Sequence, residues 1–296
     1  MRLINTTSLE IVEFFDNDIP KYAILSHTWG DGDTEVSFSD FRRGDPLTKA
    51  KPGYQKIENA CKEASKRSLH YVWVDTCCID KTSSAELSEA INSMFQWYEE
   101  AEICFAYLAD ATSATALEPS GASRWFTRGW TLQELLAPSK LEFFDEDWGF
   151  IANRQDAAEA ISLTTGIDQV FLTDTYVGSR RKLLASASGA TKMSWAAARK
   201  TKRKEDIAYC LLGIFDVNMP LIYGEGMRAF TRLQQEILRS SFDPTLLAWN
   251  RADLGIDIML TSPRLDSSPR VQPSSGTAET SQPIGSHATG TSKLRG

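Results

Sequence analysis

YVWVDTCCIDKTSSAELSEAINSMFQWYEEAEICFAYLAD (71–110) decides the fold. Its two ends, YVWVD and ICFAYLAD, are apolar nearly throughout, as strands covered on both faces are. Between them Ser83 stands three residues before Glu86, the spacing of a capping box. Leu87, Ile91, Met94/Phe95 and Tyr98 then form one helical stripe. A strand, a helix and a second strand joined by short loops make a right-handed crossover between parallel neighbours.

The alternation extends in both directions. YAILSH (22–27) is an apolar run ending in polar residues and glycines, as a buried strand entering a loop does. GYQKIENACKEASKRS (53–68) places Ile57, Cys61, Ala64 and Ser68 at helical spacing. KLEFFD (140–145) is a fourth strand. The expectation is an α/β fold, a mainly parallel sheet with flanking helices, over residues 1–152. A helical extension follows over 153–248, with amphipathic or buried patterns at RQDAAEAISLTTG, EDIAYCLLGIFDV and GEGMRAFTRLQQEILRSS. The segment 249–296 is rich in Ser, Thr, Pro and Gly and is expected to be a disordered tail or linker, because it buries too little apolar area to offset its ordering entropy.

Composition narrows the function. The chain has 296 residues, 42% of them hydrophobic, enough for a substantial core, and a formal charge of -7 that disfavours DNA and anionic membranes. No run approaches the roughly 18 apolar residues of a membrane helix. The N-terminal MRLINTTSLEIVEFFDND lacks a signal-peptide core. Cys61, Cys77, Cys78, Cys104 and Cys210 show no metal-site spacing and read as reduced, mostly buried thiols. The expectation is a soluble cytoplasmic protein with no metal, no nucleic-acid partner and no membrane partner.

In an open parallel sheet, ligands sit outside the carboxyl ends of the strands. That rule selects Ser26, His27, Trp29 and Gly30 after the first strand and Asp75 after the second. After the third it selects SRWFTRGWTLQELL (123–136), read as one short helix. Each has a plain structural alternative. The glycines of WGDGD suit a tight turn, and the loop is no EF-hand, since Val36 and Arg42 stand where glycine and glutamate are required. His27 suits a hydrogen-bonded strand end, and Asp75 either caps the next element or lines a site. The run Arg199–Lys204 reads as a solvated loop before a helix. Trp130 and Glu134, four apart, share a face; on helix statistics alone Glu134 faces water.

AILSHTWGD, the 71–110 stretch and SRWFTRGWTLQELLAP resemble the HET domain of fungal heterokaryon-incompatibility proteins. KTKRKEDIAYCLLGIFDVNMPLIYGEGMRAFTRLQQEI (200–237) resembles the helical segment that often follows it. The resemblance covers roughly residues 20–240 and implies intracellular self/non-self recognition ending in growth arrest or programmed cell death, a form of fungal innate immunity. It implies self-association on activation and a protein partner in incompatibility signalling.

The order of elements is also similar to the TIR fold, a flavodoxin-like arrangement. TIR domains that cleave NAD carry a glutamate on the helix after the third strand, behind an S-x-W segment. Carried over, that glutamate is Glu134. The TIR pattern has its tryptophan closer to the glutamate, so Trp125 and Trp130 both stand as candidates for the corresponding tryptophan. The resemblance implies NAD as substrate rather than cofactor, with Glu134 catalytic. Tryptophans would stack on the bases, and Arg124 or Arg128 would contact the pyrophosphate. The alternative is a non-enzymatic oligomerising module that recruits a death partner, the aromatic helix being its interface anchor.

Overall fold

A seven-stranded mixed sheet organises the protein, in the order β2-β1-β4-β3-β5-β6-β7. The strands are β1 (Arg2–Asn5), β2 (Ile11–Glu13), β3 (Ala23–His27), β4 (Tyr71–Val74), β5 (Ile103–Tyr107), β6 (Leu141–Phe144) and β7 (Phe150–Asn153). This is a computed structural model, and it describes residues 1–15, 18–112, 114–173, 178–241, 243 and 245. All elements discussed below belong to one compact unit, Met1–Asp257. The expected disorder of 249–296 lies outside the described residues.

The four strands expected from the apolar runs are the four parallel ones: β4 pairs β3, β3 pairs β5, and β5 pairs β6. Numbered by themselves they run 2-1-3-4, the start of the flavodoxin-like order, with the switch point between β3 and β5. An α/β fold with a mainly parallel core and flanking helices is therefore what the chain forms. The other three strands are antiparallel additions at the edges: β1 beside β4, β2 outside β1, and β7 beside β6. Each has only three or four residues, too few to show a period of two against its surroundings.

The sheet is covered by α1 (Pro52–Lys66), α2 (Ser84–Glu100) and the segment around α3 (Thr131–Leu136). Ser83 caps α2 by accepting from the Glu86 N–H, but the expected box is only half formed. The Glu86 carboxylate turns outward, accepting from the Asp80 N–H at 2.8 Å and pairing with Arg2. A non-local cation thus outcompetes the local cap. SRWFTRGWTLQELL is not one helix. It is a 3₁₀ turn, Arg124–Thr127, followed by α3, and the break between them is pinned from outside. Lys200 N–H donates to Thr127 O at 2.7 Å, and Gly129 N–H donates to Lys200 O at 3.0 Å. A Cβ on residue 129 would lie 2.5 Å from Thr201 Cγ2, so glycine lets this strap approach.

Beyond the sheet the chain is helical, ending the described part in the amphipathic α4 (Arg228–Ser240), which buries Ala229, Phe230, Leu233 and Ile237. EDIAYCLLGIFDV forms two four-residue helices rather than one, Asp206–Tyr209 and Leu212–Phe215. Two buried arginines tie this part to α3. Arg154 donates to the carbonyls of Leu135 (2.9 Å), Pro138 (2.8 Å), Ser139 (3.1 Å) and Leu172 (3.0 Å). Arg180 donates to Leu136 O at 2.9 Å, and also to Phe171 O. The last carbonyls of a helix have no partner within it, and cations are favoured at that end. Among the described residues no helix is long and apolar enough to cross a membrane.

Candidate active site

At the carboxyl end of β3, beside the switch point, a cavity of about 570 Å³ opens. The sheet and its loops supply His27, Trp29, Asp75 and Lys81 to its wall; the strand-end segment supplies Arg128, Trp130 and Glu134. Of the residues selected from the sequence, six therefore meet in one place. Ser26 and Gly30 do not line it. Ser26 lies behind Glu134, fully buried, and Gly30 holds the loop, its N–H donating to Glu35 Oε1 at 2.7 Å.

Glu134 is the centre. It is only 7% exposed, on the first turn of α3, and accepts from the Ser26 hydroxyl at 2.5 Å. Ser26 in turn accepts from Trp125 Nε1 at 2.8 Å. Trp125 is fully buried, edge-on to Phe126 and Phe143, so it belongs to the core and orients the hydroxyl that meets the carboxylate. Of the two candidates, Trp130 is the one on the cavity wall. Burial pushes the Glu134 carboxyl up from 4.5 to about 8. The Ser26 hydrogen bond opposes that rise, the Asp75 charge adds to it, and Tyr98 and Arg199 oppose it.

Around Glu134 the polar groups are coupled. Asp75 accepts from Trp29 Nε1 at 2.8 Å, which fixes the indole as a half-open flap, 40% exposed, with Lys81 Nζ 3.6 Å over its ring. Burial also raises Asp75, Glu35 adds to the rise, and Lys81, the Trp29 hydrogen bond and Lys56 oppose it. His27 sits between Asp75 and Glu35, 3.8 Å from each, yet neither ring nitrogen makes a hydrogen bond. Burial, with Lys56 and Lys81 nearby, holds it well below the usual histidine range, so the ring is neutral. Cys77 is buried and its thiol is pushed far up by that burial, which excludes it as a nucleophile.

Among the wall residues not picked out from the sequence are Lys81, from the loop after β4, and Lys202, Arg203, Asp206 and Tyr223. The last four come from the helical part, held there by the strap. Arg199 Nη1 donates to Arg128 O and to Thr131 Oγ1, both at 2.9 Å, and the Arg203 guanidinium lies 4.3 Å over the Tyr223 ring. The basic run Arg199–Lys204 is the expected solvated loop before a helix, with Lys200, Lys202, Arg203 and Lys204 exposed, but it is tied to a segment some 70 positions away, of which its local composition gives no sign. Arg124, the other arginine considered for phosphate, is exposed and lies 3.9 Å from Asp110 instead.

A carboxyl held protonated in an aromatic cavity, with one hydroxyl behind it, can stabilise a developing positive charge once it ionises. Residues 22–121 match the family described as heterokaryon incompatibility protein (HET), and residues 228–288 match a domain of unknown function, DUF8212. The chain is a HET-domain protein. It is 42% identical over 257 residues to vegetative incompatibility protein HET-E-1 of Podospora anserina, a match covering 84% of this chain and 18% of that protein. The chain thus spans about 18% of the length of this relative. No solved structure matches it.

Proposed function

We propose that this chain is a cytoplasmic effector of fungal incompatibility, and that its cavity binds NAD and hydrolyses the bond between nicotinamide and ribose. The likeness to HET-E-1 supports the incompatibility role. The observation that carries the chemistry is Glu134, buried and bonded to Ser26, opening into a cavity walled by Trp29, Trp130 and Asp75.

In NAD the nicotinamide is already a cationic leaving group, so the C1′–N bond breaks without a general acid. The electron pair goes to nicotinamide and the ribose becomes an oxocarbenium ion. One carboxylate beside the ribose stabilises that cation, and water then attacks C1′ and loses a proton, giving ADP-ribose. Glu134 must be ionised for this. Burial holds its proton on up to about pH 8; a cationic ring entering beside it favours the carboxylate, so binding releases a proton. Trp29 and Trp130 offer flat faces for the bases. Self-association on activation, carried from the family resemblance, is part of this reading.

Purified protein, tested as monomer and as oligomer, is expected to release nicotinamide from NAD. Glu134→Ala is expected to abolish release while keeping the wild-type circular dichroism spectrum. Undiminished release in that variant would remove Glu134 from the mechanism. Toxicity that survives Glu134→Gln yet vanishes in Trp130→Ala would make the wall an interface for recruiting a partner instead.

A further inference from the structure

The cavity has two electrical ends. Asp75 and Glu134 stand together at the strand ends, with Lys81 beside them over Trp29, whereas Arg128, Lys202 and Arg203 line the wall that the strap completes. Among the described residues, none of these four cations forms an ion pair or donates a side-chain hydrogen bond; Lys81 and Arg203 rest on aromatic rings instead. Many other basic side chains do find carboxylates: Arg2, Lys51, Lys56, Arg67, Arg181 and Arg232 all pair. Asp206 attracts Arg203 but forms no ion pair with it. Asp206 accepts from the Tyr223 hydroxyl at 3.0 Å, and a hydrogen bond from Trp130 helps hold its charge.

Like charges around one concavity repel one another, and although Asp75 attracts Lys81 and Glu205 and Asp206 attract Arg203, no carboxylate among the described residues pairs with any of the four to offset that cost directly. An anion of more than one charge between them would. At the inner end, His27 leaves both ring nitrogens without a hydrogen bond although its side chain is 1% exposed, and it lines the same cavity. Buried polar groups are almost always paired, so His27 points to a hydrogen-bonding ligand that reaches the strand ends. A ligand with phosphates at one end and hydroxyls at the other satisfies both observations.

We propose that Lys202 and Arg203, with Arg128 and Lys81, form an anion subsite that takes the diphosphate of a nucleoside-diphosphate ligand. The helical extension, through Lys202 and Arg203, then completes the cavity's preference for such a ligand over a nucleoside. The identity of the ligand's other half rests on the NAD reading; the subsite does not.

Equilibrium calorimetry with ADP-ribose and with adenosine tests this without turnover. Wild type is expected to bind ADP-ribose at least ten-fold tighter than adenosine. Lys202→Ala/Arg203→Ala is expected to lose that preference and leave adenosine binding unchanged. Lys202→Glu, at an exposed position with no hydrogen bond, gives the same readout should the double variant fail to fold. Equal affinity for the two ligands in wild type, or an unaltered preference in the variants, overturns the subsite. Selective ADP-ribose binding without nicotinamide release refutes the cleavage and leaves the subsite standing. Nicotinamide release without selective binding does the reverse.

Discussion

Replacing Glu134 by glutamine should stabilise the fold while removing the proposed chemistry, and the gain should grow with pH. Burial raises the folded-state carboxyl from 4.5 to about 8, so between those values the folded protein holds a proton that the unfolded chain has lost. Stability therefore falls as pH rises through this window: the contribution is fully present below pH 4.5 and gone above about pH 8. Each pH unit inside the window is worth ~1.4 kcal/mol, which gives roughly 3 kcal/mol at pH 7 and at most about 5 kcal/mol at pH 9. Glutamine does not titrate, and its carbonyl can still accept from Ser26. Urea unfolding of both proteins at pH 5, 7 and 9 measures the difference directly. The glutamine variant should gain about 4 kcal/mol on wild type between pH 5 and pH 9. Two stability curves that stay parallel across that range would refute the reasoning, because they would mean that Glu134 ionises in the folded protein as it does in water.

Two more outcomes follow from neighbouring contacts. Ser26→Ala removes the hydrogen bond that opposes the rise at Glu134 and leaves Trp125 Nε1 without its acceptor. The pH profile of nicotinamide release should move to the alkaline side, and urea unfolding should show a loss of about 1–3 kcal/mol. Gly129→Ala puts a methyl group 2.5 Å from Thr201 Cγ2 and 3.2 Å from Cys210 Sγ, forcing the strap outward. Thermal unfolding should report a destabilisation of about 1–3 kcal/mol, and ADP-ribose affinity should fall with it.

The parallel core was legible because each of its strands is a run of apolar residues bounded by polar turns, a signal contained in the segment itself. The edge strands were not, since RLIN, IVE and FIAN are strands only by virtue of the neighbours they pair with. The same distinction holds at the site. His27, Trp29, Asp75, Arg128, Trp130 and Glu134 could be selected because strand ends are where an open sheet leaves its crevice. Lys202 and Arg203 could not, because what brings them in is the ladder of Lys200 with Thr127 and Gly129. SRWFTRGWTLQELL was read as one helix for the same reason. Its break is made by chain 70 residues later, and nothing in its own composition requires it. The Trp125/Trp130 alternative was undecidable from spacing; Phe126 and Phe143 enclose the first, and only the second reaches the cavity.

Arg154 and Arg180 give this site a bearing on how such a domain can be inherited. The HET match ends at residue 121, before Glu134, and the sheet is complete at Asn153. A segment cut at either point would leave behind the guanidiniums that hold the carbonyl end of α3, together with the cations of the strap. Recombination that shuffles only the sheet would therefore transmit an architecture without the complete cavity wall. The stretch that carries the whole cavity wall runs from β1 through at least Tyr223, and a fusion joined after Asn153 keeps all seven strands but loses Lys202, Arg203, Asp206 and Tyr223 from that wall.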